Sequence, residues 1–242
     1  MAGLFIVALV KPTVSAPFFW LVLFLPGRLR PAALVLLGYL AVTLVAASFQ
    51  ESSLPALLQG WRRQESQMAF VEGHTNLSKW LAVAGLEEAL VPAALLTLLG
   101  LGVLAWRYRG VDFWLLAGIM GVATRLWVHH RGQDDLLILL PMIALLRLAK
   151  QSPSPARDPA RDLHGRDVKA GLLFALTWMT MLAPVDLLLR FPASALLTHI
   201  WMGVLWITTL LFLLGQARQE RSKGPRSLPG ERLKPMEVAA GA

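Results

Sequence analysis

The chain contains no cysteine. Disulfide frameworks and thiolate metal centres are therefore excluded. Charge is also scarce: 16% of the 242 residues are Asp, Glu, Lys or Arg, against roughly a quarter in a soluble domain. Histidine occurs five times and tyrosine twice, so the side chains able to carry chemistry are few. What fills the chain is apolar, 56% by count. These residues fall in long runs without amphipathic alternation. Runs of about 20 residues match the hydrocarbon thickness of a bilayer. Lipid offers the backbone no hydrogen bonds, so such runs become helices.

Seven spans are expected: Leu4–Leu25, Pro31–Phe49, Ala89–Trp106, Val111–Val128, Asp134–Ala149, Val168–Leu189 and Ala193–Leu214. The fold class is all-α, a polytopic transmembrane helix bundle over residues 1–217. A disordered basic tail, 218–242, follows. Val14-Ser15-Ala16 resembles a signal-cleavage site. No positive charge precedes the apolar run and Pro17 follows, so cleavage is not expected.

The net charge of +8 sits at the ends of the apolar runs, a pattern of membrane topology and not of nucleic-acid binding. Sixteen of the 23 basic residues fall on one side of the expected bundle, six on the other, and Lys11 lies within a span. The positive-inside rule then puts the carboxy terminus in the cytoplasm and the amino terminus outside. Trp20, Trp80, Trp106, Trp114 and Trp127 lie near span ends, as interfacial aromatics do. Leu77–Leu86 reads as a short surface helix in the long outer loop.

Three polar groups stand out, all on the outer side. Lys11 lies inside a span, at a cost on the order of 2.5–3.5 kcal/mol at a helix centre. Pro12 beside it frees a carbonyl, suggesting a broken helix on a cavity that takes a lipid phosphate. The bland alternative is a lysine snorkelling to the interface. The second group joins spans four and five: Arg125, His129, His130, Arg131, Asp134 and Asp135. Arg125 is one turn before His129 and shares its face. The cluster can bind a phosphate, orient a sugar hydroxyl or hold a divalent cation, although its spacing is not that of a specific metal site. The third is Glu72–Lys79, where Thr75 or Asn76 caps the surface helix and His74 stands beside it. Solvated turns and plain caps are the competing readings for these two. Asp186 and Arg190 read as a structural ion pair, and His199 as a hydrogen-bonded interior histidine.

Gly3–Pro12 with the following apolar run and Pro26–Arg30 resembles the lysine-proline helix of glycosyltransferase family 87. His74-Thr75-Asn76-Leu77-Ser78 resembles that family's Asn-x-Ser-Leu region. His129–Leu137 is similar to its His-Arg-x-x-Asp turn. The resemblance covers roughly Gly3 to Leu148. It implies a GT-C-like partial fold and a hexosyltransferase, mannosyltransferase-like, acting on the outer face of the plasma membrane with a polyprenyl-phosphate sugar as donor. Lys11, His130, Arg131 and Arg125 then contact the donor phosphate, and His74, Asn76 and His129 the substrate. The family's catalytic aspartate lies among helices upstream of Leu4. The chain is thus expected to be a carboxy-terminal part, inactive without an upstream polypeptide, with Asp134 and Asp135 as weak substitutes for the base. No metal or cofactor is firmly implied; a divalent cation is compatible. A transporter and a non-catalytic membrane subunit are the alternatives.

Overall fold

The computed structural model describes residues 12–24, 29–50, 84–127, 137–150, 166–182 and 192–222, with isolated positions between 53 and 81. Among them, all regular structure is helical. The seven longer helices are α1 (Pro12–Phe24), α2 (Leu29–Ser48), α3 (Leu90–Arg107), α4 (Phe113–Trp127), α5 (Leu139–Lys150), α6 (Arg166–Leu182) and α7 (Pro192–Ser222). Three are long and apolar enough to cross a membrane: α2, α3 and Leu197–Ser222 of α7. In α2 only 11% of the apolar window is buried, and Leu34, Leu37, Leu40 and Leu44 are exposed. A continuous apolar surface of this kind is stable against acyl chains and costly in water.

Helix α4 is the hub. It packs on α1, α3, α5 and α7, while α5 packs on α6 and α6 on α7. Helices α4 to α7 thus close a ring, with α1, α2 and α3 along one side. Lipid tails are as apolar as leucine, so close backbone approach and polar contacts hold helices together. Gly118 and Gly121 supply that approach. A Cβ on Gly118 would lie 2.8 Å from Ala144 Cβ and 3.2 Å from Pro141 Cα. One on Gly121 would lie 3.1 Å from the Leu137 carbonyl oxygen.

Between α1 and α3 the device is an indole. Trp20 Nε1 donates to the Leu98 carbonyl at 2.9 Å, its ring lying where a Cβ on Gly102 would stand, 2.9 Å from Cε2. It also stacks on Phe24 at 5.7 Å. Trp20 therefore joins helices, where the sequence suggested an interfacial anchor.

The polar contacts at one end of the bundle fix helix directions. Asp112 caps α4, its Oδ1 accepting from Trp114 N at 2.9 Å and Leu115 N at 3.3 Å. Its Oδ2 pairs with Arg147 Nη2 of α5 at 3.3 Å. The Arg221 guanidinium of α7 lies 5.8 Å from the Tyr108 ring centroid. The ends of α3, α5 and α7 and the start of α4 thus meet at one basic rim, in agreement with the alternation of charged turns in the sequence. Asp112→Ala is expected to lower stability by about 1 kcal/mol through the lost cap, since the half-exposed ion pair adds little. Asp112→Asn, which keeps the cap, should cost a few tenths; unfolding midpoints in detergent measure both.

Two boundaries differ from expectation. Helix α7 continues to Ser222, so the start of the expected tail, Arg218, lies inside a helix. Gln216–Gln219 are good helix formers, and Arg221 is held on Tyr108. Between α2 and α3, the Leu86 N–H bonds the Leu81 carbonyl at 2.9 Å across Gly85, whose φ is 71°. The left-handed Gly85, where a Cβ would be strained, and this bond have the Schellman pattern. Leu86 therefore lies beyond the expected surface helix, most of which falls outside the described residues; a 3₁₀ turn, Glu87–Ala89, leads into α3.

Candidate functional site

Helix α4 is apolar from Phe113 to Ala123 and then carries Thr124-Arg125, both buried. Thr124 Oγ1 donates to the Met120 carbonyl at 2.7 Å. The Arg125 guanidinium carbon lies 5.0 Å over the Trp206 ring of α7. A desolvated cation on an indole face gains about 2 kcal/mol or more, which offsets part of the cost of holding charge away from water. Trp206 is placed by the buried stripe Met202, Trp206, Thr209, Leu213 and Ala217, whose helical spacing faces the ring interior.

The register of α4 against α7 is consistent. Two turns from Arg125, a Cβ on Gly118 would lie 3.4 Å from Leu213 Cδ1, and Leu213 is two turns from Trp206. Arg125 is thirteen residues along α4 from Asp112, about 20 Å at the helical rise. In a hydrocarbon core about 30 Å thick, that depth is in the half remote from the basic rim.

Helix α6 adds polar groups to the same layer. Trp201 Nε1 donates to Thr180 Oγ1 at 3.0 Å, fixing α6 against α7. Thr177 lies one turn from that bond and Trp206 about a turn and a half, both toward the basic rim. Thr177 Oγ1, Trp206 Nε1 and Thr209 Oγ1 are buried without a hydrogen-bond partner among the described residues. Thr97, Thr124 and Thr180 each bond the carbonyl one turn back; Thr177 and Thr209 do not. The interfaces of α4, α6 and α7 thus bury a guanidinium, an indole N–H and two hydroxyls, donors of the kind that ligand oxygens and anions accept from.

Of the residues singled out in the sequence, Arg125 stands in this layer. Lys11, His74, Asn76, His129, His130, Arg131, Asp134 and Asp135 lie outside the described residues, as do Asp186 and Arg190. His199, half-buried, is two turns before Trp206 on α7. Among the described residues no three His, Asp or Glu side chains converge as metal ligands. Trp206, Thr177 and Thr209 went unnoticed in the sequence. Trp206 carried a signal: a tryptophan in the middle of a span is not an interfacial anchor. Thr177 and Thr209 carried none, because a threonine in an apolar run usually bonds its own backbone.

Fold and site together define a class: a protein helical over its described residues, with three helices long and apolar enough to cross a membrane and an interior that holds a buried cation on an indole. No protein-family model, curated protein or solved structure matches the chain.

Proposed function

We propose that the chain is the seven-span, GT-C-like part of a membrane hexosyltransferase that binds the phosphate of a polyprenyl-phosphate sugar. Its carboxy terminus is cytoplasmic and its site lies at the outer leaflet. The observation that carries the reading is Arg125, a buried cation in the bundle half remote from the basic rim. A charge at that depth is costly, and ionisable groups inside a membrane bundle mark ligand and ion sites. The resemblance of Lys11-Pro12 and of the His129–Asp135 turn to family 87 supports the same ligand.

In this reading Arg125, Lys11, His130 and Arg131 hold the lipid phosphate, and His74, Asn76 and His129 the sugar or acceptor. An aspartate base removes the acceptor hydroxyl proton. The oxygen then bonds to the anomeric carbon as the bond to the phosphate oxygen breaks. The cations stabilise the departing polyprenyl phosphate where water is scarce. The test is transfer of labelled sugar from a polyprenyl-phosphate donor in membranes carrying the chain, with and without upstream in-frame sequence. Lys11→Ala is expected to lower transfer at least tenfold while membrane insertion is unchanged; unaltered transfer would remove Lys11 from the site.

The unpartnered layer of Thr177, Trp206 and Thr209 near mid-depth favours one second reading, a transporter with an interior polar site. Uptake of a soluble anion into proteoliposomes without sugar transfer would select it.

A further inference from the structure

We infer that the basic rim carries a binding site for the headgroup of an anionic phospholipid, centred on Tyr108. The site is at the opposite end of the bundle from Arg125, and it does not rest on the sugar-transfer reading. Two chain segments converge there. Arg107 ends α3 and Arg109 opens the turn to α4, flanking Tyr108 on either side in sequence. Arg221 of α7 lies over the Tyr108 ring, and Arg218 is one turn back on α7. Arg107, Arg109, Arg218 and Arg221 are all exposed. Nearby, the Asp112 carboxylate is committed to its cap and to Arg147.

Arg107, Arg109, Arg218 and Arg221 come from two adjoining segments with Glu220 the carboxylate among them, so this rim keeps a net positive charge that a bound anion relieves. A phosphodiester suits that role, because guanidinium and phosphate oxygens pair in a fork. The level in the bilayer is also right. Trp106 and Phe113, on either side of the turn, are large exposed aromatics, and such rings settle at the boundary of acyl chains and headgroups. The connecting segment Gln151–Asp167 does not cancel the charge: it holds Arg157, Arg161 and Arg166 against Asp158, Asp162 and Asp167.

The test is lipid retention. The full chain is exchanged into nanodiscs of phosphatidylcholine with a minority of phosphatidylglycerol, re-extracted, and its retained lipids counted by native mass spectrometry. Phosphatidylglycerol should be enriched. Near a charged leaflet each basic residue is worth about fivefold, so the Arg107→Gln, Arg109→Gln double variant should lose about 25-fold of that preference. Arg62→Gln with Arg63→Gln, an equal loss of charge in the segment between α2 and α3, which the positive-inside rule assigns to the other side, should keep it. Equal retention of both lipids by the unaltered chain overturns the proposal, even if the double variant does not fold. So does equal loss in the two double variants, which would mean a response to net charge alone.

Discussion

Gly118→Val is expected to remove most of the folded yield of the protein in detergent and to lower its unfolding midpoint sharply. A Cβ alone would stand 2.8 Å from Ala144 Cβ and 3.2 Å from the Pro141 Cα. The second of these is backbone and cannot rotate away. Overpacking of this kind costs about 1–3 kcal/mol and sometimes more. Valine adds two further methyl groups to a helix already buried against four neighbours, so the upper end applies. Gly203→Ala is the control, because nothing lies within 4 Å of a Cβ there; it should be neutral or gain up to about 1 kcal/mol from helix propensity. Equal behaviour of the two variants would mean that α4 and α5 are not in close contact.

The second large effect concerns function with the fold preserved. Arg125→Met removes the charge but keeps a long apolar side chain to lie on Trp206. Arg125 also has a contact of its own besides Trp206, and removing one side of a buried polar contact costs stability. The unfolding midpoint should therefore fall while the bundle still folds. Binding of a polyprenyl phosphate should weaken by roughly 10- to 100-fold, the loss of one charge-assisted hydrogen bond or two. Arg125→Lys should recover only part of the affinity, since an ammonium neither stacks on an indole nor forks onto phosphate. Unchanged phosphate affinity in Arg125→Met would make the cation structural and end its role in the proposed site.

The helices were legible in the sequence because a run of apolar residues, with nothing in lipid to bond its backbone, has one outcome. The described helices fall within or closely beside the seven expected spans. Charged turns also foretold which ends meet, and the Asp112–Arg147 and Tyr108–Arg221 contacts agree with them. Neighbour relations were not legible. In water a polar face marks the outside of a helix; against lipid both faces are apolar, so Leu37, exposed, and Leu116, buried, look alike in the sequence. Only Gly118-x-x-Gly121 hinted at the tight contact. The site was half legible: Arg125 declared itself as a charge beside an apolar run. Its ring partner is 81 positions away and on another helix.

That separation has a bearing on how the protein is made. At about 5–20 residues per second, Trp206 emerges from the ribosome on the order of ten seconds after Arg125. For that interval the nascent α4 carries its guanidinium into the translocation channel without the indole that later shelters it. A fifteen-residue segment with an arginine in its last turn is poorly suited to leave for lipid alone. Its release should wait at the insertion machinery until α7 is threaded, so that bundle assembly is timed by the arrival of α7.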